Sequence, residues 1–449
     1  MKNQEITRTY QLECLLEKAR NESFACVFFS AGRADARGDV SLMAGFGISE
    51  EFLDLSDVPS NPNQPIMGYV GYDYKNQIEP SLTTDRRQLV EFADLKFVSP
   101  EIWVAVEKNG EIFGDETLLV RRGGQISNGG SLLNLLGNQN VGLAVNEYQL
   151  ASNRIESSIV NDGTARHSPQ WKSQTPKETY LENVERIKQH IVEGDFYEMN
   201  YCIAFTAKEE IDPYEAFLLL TSKAPAPFSV FLKDGNRYLL CASPERFFGK
   251  RCNLVFSQPI KGTRPRVFQA NSKVLDPLLD DAVAIELAKS EKDRAENIMI
   301  VDLVRNDLSK VCEVGSVQVP ECCAVYSFSH VHQLISTVEG RLLPEVNFKE
   351  LMHATFPMGS MTGAPKISVM QHTNKLEGFA RGIYSGTVGF VWKQNMDFNV
   401  VIRALQYDSQ SQSLAYAVGG AITYDSVAEH EYQECLDKAS AVLSIFETN

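Results

Sequence analysis

The sequence predicts a mixed α+β or α/β fold in which helices accompany several antiparallel hairpins, over a domain of about 270 residues. Three observations support this class. Apolar residues recur every three to four positions over residues 175–194, and the period changes to an alternation in GDFYEMNYCIAF. Short apolar runs bounded by glycine or proline recur through the rest of the chain. No G-x-G-x-x-G follows a predicted strand, which argues against a dinucleotide-binding fold.

The first 170 residues predict strands without recognisable chemistry. Three segments are predicted to contain strands, at residues 25–29, 68–73 and 102–106. Residues 121–137 are rich in glycine, serine and asparagine and residues 167–175 are polar, so both are predicted loops. We therefore predict an N-terminal region of residues 1–170, packed on a main domain of residues 171–449.

The main domain is predicted to open with a helix. TPKE at residues 175–178 has the pattern of a capping box with proline at the first helical position, and Gly194 is a typical helix end. The core face of this helix would carry Tyr180, Val184, Ile187 and Ile191. A strand, a short helix over residues 212–223 and a strand at residues 228–232 follow.

Residues 243–266, SPERFFGKRCNLVFSQPIKGTRPR, predict a β-hairpin with an ionisable group at each turn. Glu245 follows a Ser-Pro bend. Lys261 lies at the far end of the apolar run, beside Gly262 and the hydroxyl of Thr263. The acid and the amine either face one pocket or are ordinary surface residues, and the hairpin alone leaves both interpretations open.

Two acidic helix faces follow. Residues 278–307 predict one long helix on which Asp293 and Glu296 share a face. Strands are predicted at residues 332–342, 386–392, 398–404 and 415–418. A last helix begins near Asp425 and presents Glu431, Glu434 and Lys438 on one face. Each acidic face alone is most simply solvated surface, whereas two such helices facing each other would offer oxygen ligands suited to Mg²⁺.

Composition excludes several classes of protein. The net charge of −15, with no basic block, argues against a nucleic-acid partner. No run of 18 apolar residues and no signal-peptide pattern appears, so we expect no membrane association. Nine cysteines without a C-x-x-C pair favour a reduced, cytoplasmic protein. GSMTGAPK lacks the Gly-Lys-Ser/Thr of a phosphate loop, although Lys366 could still offer a charge to a carboxylate.

Six motifs in order resemble the chorismate-utilising enzymes: SPERF, PIKGTRPR, DLVRNDLSKVC, FPMGSMTGAPK, RGIYSG and YQECLDKASAVL. The resemblance is dense from about residue 175 to the end and implies two antiparallel β-sheets packed as a sandwich with flanking helices. In this family, lysine in the PIxGT motif is typical of the synthases that add an amine at C4 of chorismate, and anthranilate synthases usually carry alanine there. Lys261 therefore favours the 4-amino product.

The resemblance also implies roles for individual residues. Lys261 would be the nucleophile, Glu245 the general acid and Thr263 their neighbour. Partial desolvation of Lys261 would leave some free amine. Mg²⁺ would be held by Glu296, Glu434 and Glu431, with Asp293 close by. The substrate carboxylate would meet Tyr384, Arg403, Gly419, Gly420, Lys366 and Lys438.

Two positions depart from the family pattern. Glu198 stands where amine-adding members commonly have glutamine and water-adding members have lysine, which disfavours isochorismate as the product. Gln333 replaces the family histidine near the pyruvyl group, with His332 one residue earlier, and favours a reaction that stops before pyruvate is lost.

The chain contains no recognisable glutaminase, so a separate glutamine amidotransferase or free ammonium would supply ammonia. Two alternatives stay open at this point. One is an anthranilate synthase component that tolerates lysine in the PIxGT motif. The other, kept open by Glu198 and Gln333, is a non-catalytic chorismate-binding scaffold.

Overall fold

The computed structural model describes residues 2–30, 40–82, 86–119, 169–269, 274–328 and 331–446. Its strands, in chain order, are β1 Phe24–Phe29, β2 Val40–Phe46, β3 Glu50–Phe52, β4 Ile66–Val70, β5 Leu95–Ser99, β6 Ile102–Glu107, β7 Ile112–Gly114, β8 Lys172–Ser173, β9 Glu198–Lys208, β10 Phe228–Asp234, β11 Arg237–Ser243, β12 Arg246–Arg251, β13 Leu254–Gln258, β14 Ile260–Pro265, β15 Gln318–Ser327, β16 Val331–Arg341, β17 Gly363–Ala364, β18 Thr387–Trp392, β19 Asn395–Asn399, β20 Ala404–Asp408 and β21 Ser413–Ile422.

The helices of these ranges are α1 Lys2–Ala19, α2 Lys75–Ile78, α3 Lys177–Glu193, α4 Pro213–Lys223, α5 Pro277–Lys289, α6 Glu291–Ser309, α7 Phe348–Thr355, α8 Lys366–Leu376 and α9 Ala428–Leu443. No helix in the described ranges is long and apolar enough to cross a membrane. The predicted loop at residues 121–137 lies outside the described residues, as do the first two positions of the one at 167–175.

The strands form two antiparallel sheets. The 11-stranded sheet has the order β17-β9-β21-β20-β11-β10-β1-β2-β6-β7, with β8 paired to β9. The 10-stranded sheet has the order β14-β16-β13-β12-β19-β18-β4-β5-β3, with β15 paired to β16. This arrangement confirms the predicted mixed fold with two antiparallel sheets. Strands from before residue 120 and strands from after residue 170 belong to both sheets, and the predicted functional division near residue 170 stays a prediction.

Apolar side chains on both faces of the central strands hold the layers together. In β1, Ala25, Val27 and Phe29 belong to a core that the 11-stranded sheet shares with helices. The intervening Phe24 and Cys26 enter a second core, between the sheets, with residues of β4, β5 and β18. Burial on both faces explains why this strand is continuously apolar in sequence.

The first predicted helix is confirmed, and its predicted cap is wrong. In α3, Tyr180, Val184 and Ile187 are buried, Ile191 packs beside them, and Gly194 ends the helix with a left-handed backbone. Pro176 is the cap residue, and no side chain caps the helix. The Thr175 hydroxyl is buried without a hydrogen-bond partner in the described part of the chain.

Two further predictions need correction, because the chain bends where one element was expected. The single helix over residues 278–307 is two helices, α5 and α6. At the junction Ser290 is extended, and its side chain accepts from the Asp293 N–H. The predicted strand over residues 398–404 is also interrupted, because the chain leaves the 10-stranded sheet after Asn399 and joins the 11-stranded sheet at Ala404.

Candidate active site

An ion pair joins the two sheets at one end of the sandwich. Lys261 lies in β14 of the 10-stranded sheet, and Glu198 is the first residue of β9 in the 11-stranded sheet. Lys261 Nζ lies 2.7 Å from Glu198 Oε1 and 4.0 Å from Glu296 Oε2. The Glu198 side chain is fully buried, and its Oε2 has no hydrogen-bond partner among the described residues.

Lys261 lies inside a strand and not at the predicted turn, and a bulge sets its position. The pairing of β14 with β16 shifts between Lys261 and Thr263, which leaves Gly262 as an extra residue. Gly262 has φ +72°, and a Cβ there would lie 2.9 Å from the Asp293 side chain. A glycine is therefore required for β14 to lie this close to α6.

The two acidic helix faces meet beside this ion pair. Glu296 comes from α6, and Glu431 and Glu434 come from α9. Lys292 Nζ lies between the helices, 3.9 Å from Glu296 Oε1 and 3.8 Å from Glu431 Oε1. Lys292 was not among the residues predicted from sequence, although its place four residues before Glu296, on the same helix face, was a signal for it.

The pKa values of Glu296 and Glu434 are shifted in opposite directions. Burial raises the pKa of Glu296 to about 7, although Lys261 opposes the shift. The pKa of Glu434 is lowered, because Lys438 at 2.7 Å outweighs the partial desolvation of this half-exposed side chain. One carboxyl of the group is thus easily protonated near neutrality, and another is held as a carboxylate.

Glycine in β21 leaves room at the centre of the group. A Cβ on Gly420 would lie 3.5 Å from Glu431 Oε2 and 3.8 Å from Glu434 Oε1. Gly419 packs against Cys202 of β9, and its carbonyl accepts from Lys438 Nζ at 3.0 Å.

These carboxylates suit a hard cation that shares its shell with water and substrate. Glu296, Glu431 and Glu434 supply only oxygen ligands, and Gly420 leaves space beside two of them. Their oxygens are not closed into a tight cage within the described residues. Mg²⁺ is commonly bound by one or two carboxylates plus waters and an anionic ligand, so the open arrangement fits.

The Lys261 amine is more basic than its motif predicted. Burial lowers its pKa, but the nearby carboxylates of Glu198 and Glu296 reverse this effect, so the pKa of Lys261 is raised overall. The expectation of free amine through desolvation is therefore corrected: Lys261 is held as an ammonium, and a group must take its proton before it can act as a nucleophile.

Glu245 occupies the turn between β11 and β12, where the chain passes from one sheet to the other. Its side chain is buried, and burial raises its pKa to about 7 against the opposing effects of Ser360 and Lys261. A carboxyl with this pKa can donate a proton near neutral pH.

Arg403 is a cation with no counter-charge among the residues that the structure describes. In the described ranges its guanidinium has no hydrogen-bond or ion-pair partner, and desolvation lowers its pKa. The residue has φ +50° at the end of the crossing between the sheets. Tyr384 lies on the neighbouring segment, because Ser385 N donates to Val401 O at 2.9 Å. A half-buried arginine with no partner among the described residues suits an anion, above all a carboxylate.

Two of the predicted site residues, Lys366 and Thr263, do not join the cluster around Lys261 and the acidic helix faces. Lys366 Nζ donates to Asp307 Oδ2 at 2.6 Å and to Thr355 O at 3.1 Å. Its charge is thus already paired, and its assignment to the substrate carboxylate is not supported. Thr263 is exposed, on the far side of the bulge from Lys261.

Glu198 and Gln333, the two departures from the family pattern, both lie near Lys261. Gln333 is buried in β16 and pairs with Thr263, while His332 bonds Asp280 at 3.0 Å and Ser327 at 2.8 Å. His332 is therefore engaged in its own hydrogen-bond network. Glu198 is the departure that contacts the predicted nucleophile.

Comparisons with known proteins agree with this arrangement. The profile of the chorismate binding enzymes matches residues 19–444. The aminodeoxychorismate synthase component 1 of Escherichia coli K12 is 33% identical over 409 residues, 89% of this chain and 82% of that protein. The component of the same name from Bacillus subtilis is 37% identical over 264 residues, 59% of this chain and 54% of that protein. This chain thus spans about half the length of the second relative.

Solved structures share the fold. The anthranilate synthase component I of Streptococcus pneumoniae superposes with a TM-score of 0.67 at 25% identity, covering 95% of this chain and 91% of that one. The menaquinone-specific isochorismate synthase of Escherichia coli gives a TM-score of 0.69 at 16% identity, covering 96% of this chain and 91% of that chain.

Proposed function

This chain belongs to the family of chorismate-binding enzymes, and we propose that it is an aminodeoxychorismate synthase component 1. It would convert chorismate and ammonia to 4-amino-4-deoxychorismate, the precursor of 4-aminobenzoate in folate synthesis. The observation that carries the proposal is Lys261 in the PIxGT motif, within reach of Glu198 and Glu296 at the join between the sheets.

A lysine nucleophile suits this product, because it divides one difficult substitution into two steps. The Lys261 amine attacks C2 of chorismate, the ring double bond migrates, and the C4 hydroxyl leaves as water after Glu245 protonates it. Ammonia then attacks C4, the double bond returns, and the lysine amine leaves C2. The product carries nitrogen at C4, and the enzyme regains its lysine.

Glu198 is the group that would take the proton from Lys261. Its Oε1 lies 2.7 Å from the ammonium, and its Oε2 has no other partner in the described structure. The transfer is therefore short and leaves the total charge of the pair unchanged. A glutamine at this position could hold the lysine but could not accept its proton.

Separate groups would bind the two carboxylates of chorismate. Arg403 and Tyr384 would receive the enolpyruvyl carboxylate, and the unpaired guanidinium supports this assignment. Glu296, Glu431 and Glu434 would hold Mg²⁺, which when bound would neutralise and orient the ring carboxylate. Lys438 would fix Glu434 and the Gly419 carbonyl in place.

The ammonia would come from a partner or from solution. The relatives named component 1 suggest a second component, and we propose a glutamine amidotransferase for that part. We also propose a cytoplasmic location, since all nine cysteines are free thiols.

The identity of the product tests the proposal. The protein is incubated with chorismate, Mg²⁺ and ammonium, and a lyase that releases 4-aminobenzoate is added. We expect 4-aminobenzoate, and we expect Lys261→Ala to reduce it at least about 100-fold and to abolish a covalent adduct seen by mass spectrometry. Lys250→Ala, in strand β12 of the same sheet, is the matched control.

Two outcomes would overturn it. Formation of 2-aminobenzoate would show an anthranilate synthase, such as the Haloarcula marismortui protein of that name, which is 35% identical over 300 residues, 66% of this chain and 58% of that protein. A Lys261→Ala protein as active as the wild type would remove the lysine from the mechanism.

A further inference from the structure

Two histidines and an aspartate converge outside the site described above. His190 lies in the last turn of α3, Asp195 directly follows the Gly194 turn, and His372 lies in α8. One side-chain ligand atom from each lies within 4.8 Å of the other two. His190 Nδ1 is 2.8 Å and His372 Nε2 is 3.8 Å from the same oxygen, Asp195 Oδ2.

The hydrogen bond that His372 makes through Nδ1 determines which ring atom it presents to Asp195. His372 Nδ1 lies 2.9 Å from the backbone carbonyl of Ser368, which can only accept, so Nδ1 carries the hydrogen. In the neutral ring, Nε2 then presents a lone pair toward the Asp195 carboxylate. Two acceptors that face each other call for a cation between them, and an imidazole that donates its other N–H to a carbonyl is the usual arrangement of a metal ligand.

Hydrogen bonds and ring contacts within the protein position the three proposed ligands. Asp195 N donates to His190 O at 3.0 Å across the left-handed Gly194, and Ser368 Oγ donates to Asp195 O at 2.8 Å. The buried ring of Phe196 packs against both imidazoles, with centroids 5.1 Å from His372 and 6.1 Å from His190. These contacts lower the ordering cost of binding an ion.

We propose that His190, Asp195 and His372 bind a divalent transition-metal ion of the Zn²⁺ type, at a site separate from the carboxylates of the active site. Two imidazoles and one carboxylate select such ions over Mg²⁺. Tetrahedral Zn²⁺ places its ligand atoms about 3.3 Å apart, and the separations of 2.8 and 3.8 Å lie on either side of that value.

The ion can enter from solvent, and it would link elements that reach the active site. The side chains of His190 and Asp195 are 33% and 42% exposed, so water can complete the coordination. Binding would tie α3 to α8 just before β9, whose first residue is Glu198. The ion would replace the hydrogen bond between His190 and Asp195, with the Nδ1 hydrogen of a neutral ring moving to Nε2, and protons compete with the ion for the imidazole nitrogens, so binding weakens as the pH falls.

Metal titration tests the site directly, independently of any reaction with chorismate. The purified full chain, freed of metal, is titrated with Co²⁺ and with Zn²⁺ in excess Mg²⁺, by visible absorption and by calorimetry. We expect one equivalent to bind, with the absorption bands of tetrahedral Co²⁺, and a melting temperature that rises with Zn²⁺.

His372→Gln and Asp195→Asn keep the size of each side chain and should each weaken binding about 10-fold or more. His353→Gln, at a histidine beside Tyr74, should bind as the wild type does. Wild-type affinity and stoichiometry in both site variants, or no binding to the wild type, would overturn the proposal. Circular dichroism of each variant establishes that it is folded, and product formation is scored separately.

Discussion

At the scale of single residues, the contact between Glu198 and Lys261 decides how the nucleophile becomes a free amine. The pair is buried and joined at 2.7 Å, and the surrounding carboxylates raise the pKa of the lysine. A lysine that lost its proton to water would be a free amine only at high pH. A proton passed to Glu198 avoids this requirement, and the two routes differ in their pH dependence.

We expect the rate of adduct formation to fall above neutral pH. With transfer to Glu198 the pair keeps its proton, and an excess of Mg²⁺ would hold Glu296 as a carboxylate, so under these conditions Glu245 is the group that titrates. Burial raises the pKa of Glu245 to about 7, so its acid form is lost as the pH rises, and the rate should fall about tenfold per unit above that value. Single-turnover mass spectrometry without ammonium measures this rate, free of changes in the ammonia fraction. A flat profile above pH 7 in the wild type would contradict internal transfer.

Glu198→Gln should change the shape of this profile. Without the acceptor, the Lys261 proton must go to water, so the gain in free amine with rising pH offsets the loss of acid from Glu245. The profile should become flat and the rate at neutral pH should fall at least about tenfold. Glu185→Gln, on α3, is the control and should keep the falling profile.

Arg403→Ala should impair use of chorismate. The guanidinium has no partner within the described protein, so its hydrogen bonds are available to the substrate. Loss of hydrogen bonds to a charged group costs about 1.5–3 kcal/mol, or roughly 10- to 150-fold in kcat/KM. Steady-state kinetics with varied chorismate measure the loss, and Arg305→Ala, at an exposed arginine paired with Asp302, should be near wild type. An unchanged kcat/KM would exclude Arg403 from the site.

At the scale of elements, Gly262→Ala separates backbone strain from close packing. An alanine there would meet Asp293 at 2.9 Å with φ +72°, and Gly235 has φ +61° with nothing within 4 Å of its Cβ. Gly262→Ala and Gly235→Ala should each lower the free energy of unfolding by about 1–3 kcal/mol, because alanine is strained in a left-handed backbone. Gly262→Ala should additionally displace β14 from α6 and lower activity at least about tenfold. Thermal melting and product formation are compared, and equal effects of the two variants would refute the packing argument.

Because helices α6 and α9 face each other across Lys292, we expect this lysine to weaken the binding of Mg²⁺. Its ammonium lies within 4 Å of Glu296 and Glu431, so it competes with a cation for the same carboxylates. Lys292→Gln should lower the Mg²⁺ concentration for half-maximal activity by at least about threefold. Activity is titrated with Mg²⁺ after chelation, with Lys289→Gln as the control. A higher Mg²⁺ requirement in Lys292→Gln would show that Lys292 supports the site.

How much the sequence could predict depends on how local each signal is. Glu245 and Lys261 lie in short motifs, so the sequence could single them out, although it did not predict the raised pKa of Lys261. The break at Ser290 also had a signal, serine three residues before Asp293, but the continuous acidic run obscured it. Lys292 and Glu198 gain importance only from helices and strands that meet across long sequence distances, and one chain does not reveal such meetings.

At the scale of the whole molecule, the N-terminal strands complete both sheets. β1 pairs with β10 and β4 pairs with β18. A chain shortened to residues 171–449 would leave β10 and β18 as open edges and expose the core between the sheets. We expect it to aggregate, while the full chain stays monodisperse in gel filtration. A soluble, active fragment would show that the predicted main domain folds alone.

The pairing of β9 with β21 has a consequence for the newly made chain. Ten residue pairs join these strands, and more than 200 positions of sequence separate their partners, as in Met199 with Ile422. During synthesis β9 leaves the ribosome long before β21 exists, with backbone N–H and C=O groups unpaired and open to other chains. Contacts so far apart in sequence slow folding, so this strand is where a chaperone would be needed until the last strand is made.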